Sequence, residues 1–192
     1  MVRAHGGTDA TILHRTVSSI VYEDFRDSAP AGMFAVMPKG IILHGSRSGH
    51  AGNPKDKEYR GTANFEVNNS DDLGWNATIG EGKVAVHLTP REWGWNARQA
   101  SKHYLAVEIA QATVDEPISD LQVDALAGWI RTHVLPEWPD LPMFFPTHSE
   151  VEKRGETGQT DSLSCLFPFE DPRADELRGR LMARLTGQEK YP

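Results

Sequence analysis

The run Ile41-Ile42-Leu43-His44 constrains this chain more than any other stretch. It is a short apolar segment that ends on a histidine and opens into a long glycine- and serine-bearing segment, Gly45 to Gly61. The pattern reads as a buried strand that delivers one imidazole to its C-terminal tip. A strand tip followed by a loop is a common place for a metal or catalytic centre, with partners drawn from elsewhere in the chain. Two later stretches supply candidates: Val107-Glu108-Ile109, and Thr147-His148 through Gln159-Thr160-Asp161.

The rest of the chain supplies the elements around that strand. Val17 to Tyr22 reads as an edge strand, and Ser28-Ala29-Pro30-Ala31-Gly32 as a turn. Gly45 to Gly61, with Pro54 and five charged residues from Lys55 to Arg60, reads as one long loop. Thr62 to Asn68 fits a helix or a strand equally. Trp75 to Ile79 and Lys83 to Leu88, joined at Glu81-Gly82, read as a β-hairpin. Tyr104 to Ala110 places Leu105, Val107 and Ile109 on one face and small or apolar residues with Glu108 on the other. A strand of that kind is central, so Glu108 is expected to be at least partly buried. Ser119 with Gln122 is a capping box. The helix it opens carries Val123, Leu126, Ile130 and Val134 and is expected to stop before Pro136. Glu150 to Asp161 reads as a polar loop. Asp171-Pro172 opens a last helix with Leu177, Leu181 and Leu185 on its buried stripe. Strands and helices alternate loosely, which predicts an α/β layer fold.

Composition narrows the function. The net charge of −7 argues against a nucleic-acid partner, for which a basic stripe is expected. No run reaches the roughly 18–20 apolar residues of a membrane span. The first residues lack the apolar core of a Sec signal, so cytoplasmic synthesis is expected. Cys165 is the single cysteine, which rules out an intrachain disulfide framework.

His44, His148 and Asp161 together offer two imidazoles and a carboxylate, a donor set that suits a catalytic Zn2+ with one position left open. Glu108, desolvated on a central strand, suits the non-ligating acid or base that such a centre needs. Each residue also has a plainer reading. His44 alone reads as a hydrogen-bonded structural histidine, Asp161 as a turn residue or cap, and Glu108 as a buried ion-pair partner of Arg98 or Lys102. The compact signature of two zinc histidines on one helix is absent.

Taken in order, these residues resemble the zinc-dependent N-acetylmuramoyl-L-alanine amidases shared by phage amidase-lysozymes, bacterial muropeptide-recycling amidases and animal peptidoglycan recognition proteins. The matching stretches are Ile41-Ile42-Leu43-His44, the following Gly45-Ser46-Arg47-Ser48-Gly49, the hairpin from Trp75 to Leu88, and Trp93-Gly94-Trp95-Asn96-Ala97. They continue with Val107-Glu108-Ile109, His148-Ser149-Glu150-Val151, and Gly158-Gln159-Thr160-Asp161-Ser162-Leu163. The resemblance covers about residues 36 to 185.

It implies a single domain with a mixed central β-sheet flanked by helices, over residues 36–192, and an N-terminal extension over 1–35 packed on it. It implies zinc held by His44, His148 and Asp161, with Glu108 and Gln159 catalytic. The implied substrate is peptidoglycan, glycan strand plus stem peptide, cut at the amide between the lactyl group and L-alanine. Trp75, Trp95, Asn96, Arg47 and Arg98 are the implied substrate contacts, with Trp93 beside them.

The departures from the family pattern are specific. The family lysine before Thr-Asp is Gln159, a neutral donor and a weaker partner for an oxyanion. Ser162-Leu163 replaces Pro-Gly. Cys165 is a rival third ligand, because relatives use cysteine there, although a small core residue is its plainer role. Asn76 and Asn96 stand at groove positions where relatives often have histidine. His50, His87, His103 and His133 read as structural or surface residues. The reading favours a phage-type endolysin or its catalytic domain, acting on the cell wall after release. A recycling amidase and a non-catalytic peptidoglycan-binding module are the alternatives.

Overall fold

The computed structural model describes residues 19–26, 30–47, 49–68, 73–158 and 165–188. Its centre is a five-stranded sheet in the order β1-β5-β4-β7-β3. The strands are β1 (Val21–Asp24), β3 (Ile41–Gly45), β4 (Ala77–Gly80), β5 (Lys83–Val86) and β7 (Leu105–Ile109). β4 and β5 run antiparallel, and the other neighbours are parallel. A small second sheet pairs β2 (Gly32–Met33) with β6 (Glu92–Trp93). The mixed sheet flanked by helices is the expected α/β architecture. The described residues before position 36 are part of it: β1 is a strand of the central sheet, shifted a few residues from the predicted 17–22.

The period of two along the strands decides what each face of the sheet does. Ile41, Leu43, Ala77, Ile79, Val84, Val86, Leu105, Val107 and Ile109 all belong to the main core. That face is covered by α2 (Asp120–Trp129) and α5 (Pro172–Thr186), which supply Val123, Leu126, Trp129, Leu177 and Leu181. The alternate residues face the other way. His44 pairs with Glu108, and Glu108 pairs with Thr78, so three polar side chains stand in one row across β3, β7 and β4. The sheet therefore has one apolar face that holds the fold together and one partly polar face that is free to carry chemistry.

Local signals explain most of the elements. Gly82 takes a left-handed φ of 66° in the two-residue turn between β4 and β5, a conformation that costs glycine little. The Ser119–Gln122 capping box is formed at both ends. The Asp171 side chain accepts from the Arg173 N–H at the start of α5.

Three expectations are corrected. First, Gly45 to Gly61 is not one long loop, because Lys55–Asn68 forms α1. Lys55 to Arg60 is rich in straight-chain helix formers, and Asp56 and Glu58 sit favourably at the N-terminal end of the helix dipole. Its buried residues are Glu58, Tyr59, Ala63 and Glu66. Two carboxylates on the inward face hide the apolar period that would have revealed a helix. Second, the helix does not stop before Pro136. Ile130–Val134 widens into a π-turn in which the Leu135 N–H donates to Ile130 O, and α3 (Leu135–Glu137) carries the chain past the proline. The wider turn accommodates a ring that an ordinary helix would clash with. Third, Glu150 to Asp161 is not all loop. His148–Lys153 forms α4, opened by a capping box between Thr147 and Glu150.

Candidate metal centre and groove

His44 comes from the tip of β3 and His148 from the first turn of α4. The two elements are tied together directly. The N–H groups of Ile41 and Leu43 donate to Phe144 O and Pro146 O, at 3.0 and 2.9 Å, and Leu43 forms a parallel bridge with Thr147. The chain leading into α4 thus runs along the outer edge of β3, and the two imidazoles meet with ring centroids 4.7 Å apart.

Cys165 completes the group. Its Sγ lies 3.6 Å from His44 Nδ1. One ligand atom each from His44, His148 and Cys165 falls within a mutual distance of 4.8 Å, and all three residues are buried. A tetrahedral centre with Zn–N of about 2.0–2.1 Å and Zn–S of about 2.3 Å sets its nitrogen and sulfur roughly 3.5 Å apart. The observed spacing fits that requirement, and so does the donor chemistry of two imidazoles and one thiol. Burial, and then the charge of His148, hold the His44 pKa well below 6.5. The ring is therefore neutral and ready to donate a lone pair. Burial, and then the charge of Glu108, push the Cys165 thiol up to about 12. Behind His148, Glu152 Oε1 lies 3.6 Å from Nε2, one helical turn along α4.

Glu108 stands at the edge of this group, with Oε1 3.9 Å from His44 Nδ1. Burial pushes its carboxyl up to about 8, against the opposing charge of Arg47. Its side chain is 14% exposed and opens into a groove of about 590 Å³. One wall of the groove is α1, with Lys57, Thr62 and Phe65. The other carries Trp75, Trp95 and Asn96.

The predicted site residues divide clearly. His44, His148 and Glu108 come together, and Trp75, Trp95 and Asn96 line the groove. Gln159 and Asp161 lie outside the described residues. Arg47 does not line the groove, although its charge reaches Glu108 and Cys165. Arg98 is exposed on a 3-10 turn, Arg98–Lys102, and is not a lining residue. Trp93 stacks edge-on against Trp95 at 5.0 Å instead of facing the groove. Asn76 is not a groove residue. It is buried, and its side chain bonds to Thr89 O, Glu92 O and the Ala106 N–H. His50, read as structural or surface, lines the groove. The wall that α1 supplies is the part of the groove that a loop over Lys55 to Arg60 does not predict.

Two backbone segments must nearly touch to hold the tryptophan wall in place. A Cβ on Gly94 would lie 2.6 Å from the Gly74 Cα. Gly94→Ala is expected to cost about 1–3 kcal/mol, because rigid backbone must move apart. Urea unfolding of the variant checks this, and an unchanged midpoint would contradict the close approach.

Comparison with known proteins gives the fold its relatives. No protein-family model and no curated protein sequence matches the chain. Solved structures do match. The Staphylococcus aureus hydrolase AmiA, solved in complex with its ligand, superposes with a TM-score of 0.56 at 14% identity, covering 89% of this chain and 87% of that one. The N-acetylmuramoyl-L-alanine amidase LysC from Clostridium intestinale gives 0.52 at 13% identity, covering 84% and 96%. A mutant endolysin from Bacillus subtilis gives 0.52 at 15% identity, covering 84% and 99%. The fold is that of the N-acetylmuramoyl-L-alanine amidases of this type.

Proposed function

We propose that this chain, built on the fold of those amidases, is itself a zinc-dependent N-acetylmuramoyl-L-alanine amidase. It hydrolyses the amide between the lactyl group and L-alanine of peptidoglycan, as a phage-type endolysin or its catalytic domain acting on the bacterial cell wall. The observation that carries this reading is the buried His44–His148–Cys165 group at the edge of a groove, with Glu108 beside it.

In this reading His44, His148 and Cys165 hold the zinc, and Cys165 takes the place assigned to Asp161 from the sequence. When bound, the metal supplies an activated water near neutral pH and polarises the scissile carbonyl. The protein's own groups do the rest. Glu108 takes a proton from the attacking water and returns it to the departing amide nitrogen. Its raised pKa keeps the proton on the carboxyl in the metal-free protein, and a nearby cation lowers that value toward the working pH. Gln159 donates a neutral hydrogen bond to the developing oxyanion. Trp75 and Trp95 offer flat apolar surface to the sugar and peptide, and Arg47 supplies positive charge at the Glu108 end of the groove.

Digestion of purified peptidoglycan by the zinc-loaded protein tests the reading. The expected products, read by mass spectrometry, are free stem peptides that begin at L-alanine. They disappear on chelation and return with zinc. Intact sugar–peptide linkages in the presence of demonstrably bound zinc would overturn it.

A further inference from the structure

We propose that Thr78 is a positioning residue for Trp75: its hydroxyl accepts the indole N–H and holds the tryptophan in place in the wall of the groove. The use made of that wall rests on the amidase reading above, while the contact itself stands apart from it.

Thr78 ends the row of polar side chains that begins at His44 and runs through Glu108, and it is fully buried. Trp75 Nε1 donates to its Oγ1 at 2.8 Å, and His87 Nε2 lies in hydrogen-bond contact with the same oxygen at 2.9 Å. The rings of Trp75 and His87 meet edge-on, with centroids 6.0 Å apart and planes at 81°. Three side chains therefore close a triangle, and the hydroxyl is the corner where both hydrogen bonds meet. A threonine hydroxyl has one hydrogen and two lone pairs. It can accept from the indole, which only donates, and still meet His87 as donor or acceptor. Behind His87, Glu66 Oε2 lies 3.1 Å from Nδ1, and both of those side chains are buried.

The triangle sits between the two walls of the groove. Glu66 belongs to α1, and its neighbour Phe65 lines the groove from that side. Trp75 lines it from the other. Between them stand Thr78 on β4 and His87 just past the end of β5, the two strands of one hairpin. The series from Glu66 to Trp75 thus runs from wall to wall across the sheet. Trp75 is only 6% exposed, so it offers the groove a narrow strip of ring, and a small rotation of the indole would withdraw that strip. Apolar packing tolerates such a rotation, but a hydrogen bond to a fixed hydroxyl does not. A buried indole N–H without a partner is costly, so Trp75 is held to the orientation that reaches Thr78. The ring is fixed before substrate arrives, and binding is spared the cost of ordering it.

Kinetics of the intact zinc-loaded chain on a soluble N-acetylmuramoyl peptide, and indole proton–nitrogen NMR of the same protein, test this. Thr78→Val keeps the side-chain shape and removes the hydroxyl. It is expected to raise KM about 3–10-fold, the worth of one hydrogen bond, with kcat within about twofold of wild type. Thr78→Ser returns the hydroxyl and is expected to return KM to the wild-type value. The Trp75 indole N–H, identified by its loss in Trp75→Phe, is expected to exchange slowly with water in the wild type, and to shift and exchange faster in Thr78→Val. Trp75→Phe removes the donor and leaves Thr78 with His87, so adding Thr78→Val to it should raise KM no further. Fast exchange in the wild type, an indole signal unmoved by Thr78→Val, a wild-type KM in Thr78→Val or Trp75→Phe, an equal rise in Thr78→Ser, or a further rise in the double variant would each overturn the proposal. Should Thr78→Val fail to fold, the wild-type exchange and the KM of Trp75→Phe decide. Wild-type protein that cleaves no muramoyl peptide, yet shows slow Trp75 exchange that Thr78→Val abolishes, would defeat the amidase reading and leave the contact standing.

Discussion

Cys165→Ser is expected to weaken zinc binding by two to three orders of magnitude and to abolish peptidoglycan cleavage, while Asp161→Asn leaves both close to wild type. The thiolate would be one of three protein ligands. A third of the roughly 10–16 kcal/mol that protein zinc sites supply is about 3–5 kcal/mol, and each 1.4 kcal/mol is a factor of ten in affinity. The pH dependence of binding gives an independent check. The metal-free thiol sits at about 12 and holds its proton at neutral pH. Ligation requires the thiolate, so each zinc bound releases that proton. His44, with its pKa well below 6.5, is neutral already and releases none. Measured in the Glu108→Gln background, where the raised carboxyl can release no second proton, affinity should therefore rise about tenfold per pH unit between about pH 7 and 8. A carboxylate in the third position is ionised throughout that window and predicts a flat profile. A flat profile with full zinc binding by Cys165→Ser would return the position to Asp161.

Glu108→Gln is expected to lower kcat by about 10²–10⁴-fold, the usual contribution of one positioned acid–base group, with zinc affinity near that of wild type. The same substitution has a signature in the metal-free protein. Folding raises the Glu108 pKa from an ordinary 4.5 to about 8. Between those values the folded state keeps a proton that the unfolded chain gives up, so the unfolded state binds fewer protons and stability falls as pH rises. Below about pH 4.5 both states are protonated and the penalty vanishes. Glutamine carries no such penalty, so Glu108→Gln should stabilise the metal-free protein at pH 8, on the order of a few kcal/mol, and change little at pH 4. Thermal melts at the two pH values read this out. Equal shifts at both would mean that Glu108 is solvated in the folded protein.

How much of this was legible beforehand depended on the physical signal each part carried. The strands β3, β7 and the β4–β5 hairpin announced themselves because their alternation faces a real apolar core. The pairing of His44 with Glu108 followed from two parallel strands of that kind lying side by side. α1 was hidden because its inward face carries Glu58 and Glu66, the latter set 3.1 Å from His87. α4 was hidden by its brevity, although Thr147 and Glu150 spelled out its cap. The place of Cys165 was legible only as that of a rival ligand implied by the family resemblance, and its own neighbourhood in sequence did not decide it. Nothing near it in sequence says that its thiol points at His44, 121 positions away; only the closure of the fold does.

The segment that joins the two histidines also decides how the sheet ends. β3 is the last strand of the sheet, and its outer edge is met by residues 144–147 instead of another strand. Pro146 has no N–H to offer, and the Phe144 N–H is turned back onto Pro142 O. The segment therefore takes hydrogen bonds from β3 but presents no ladder of its own to a neighbouring molecule. Edge-to-edge aggregation is blocked at the metal side of the protein. Among the described residues the more open margin is the opposite one, where β1 is short and largely exposed and carries the charge of Asp24 at its end.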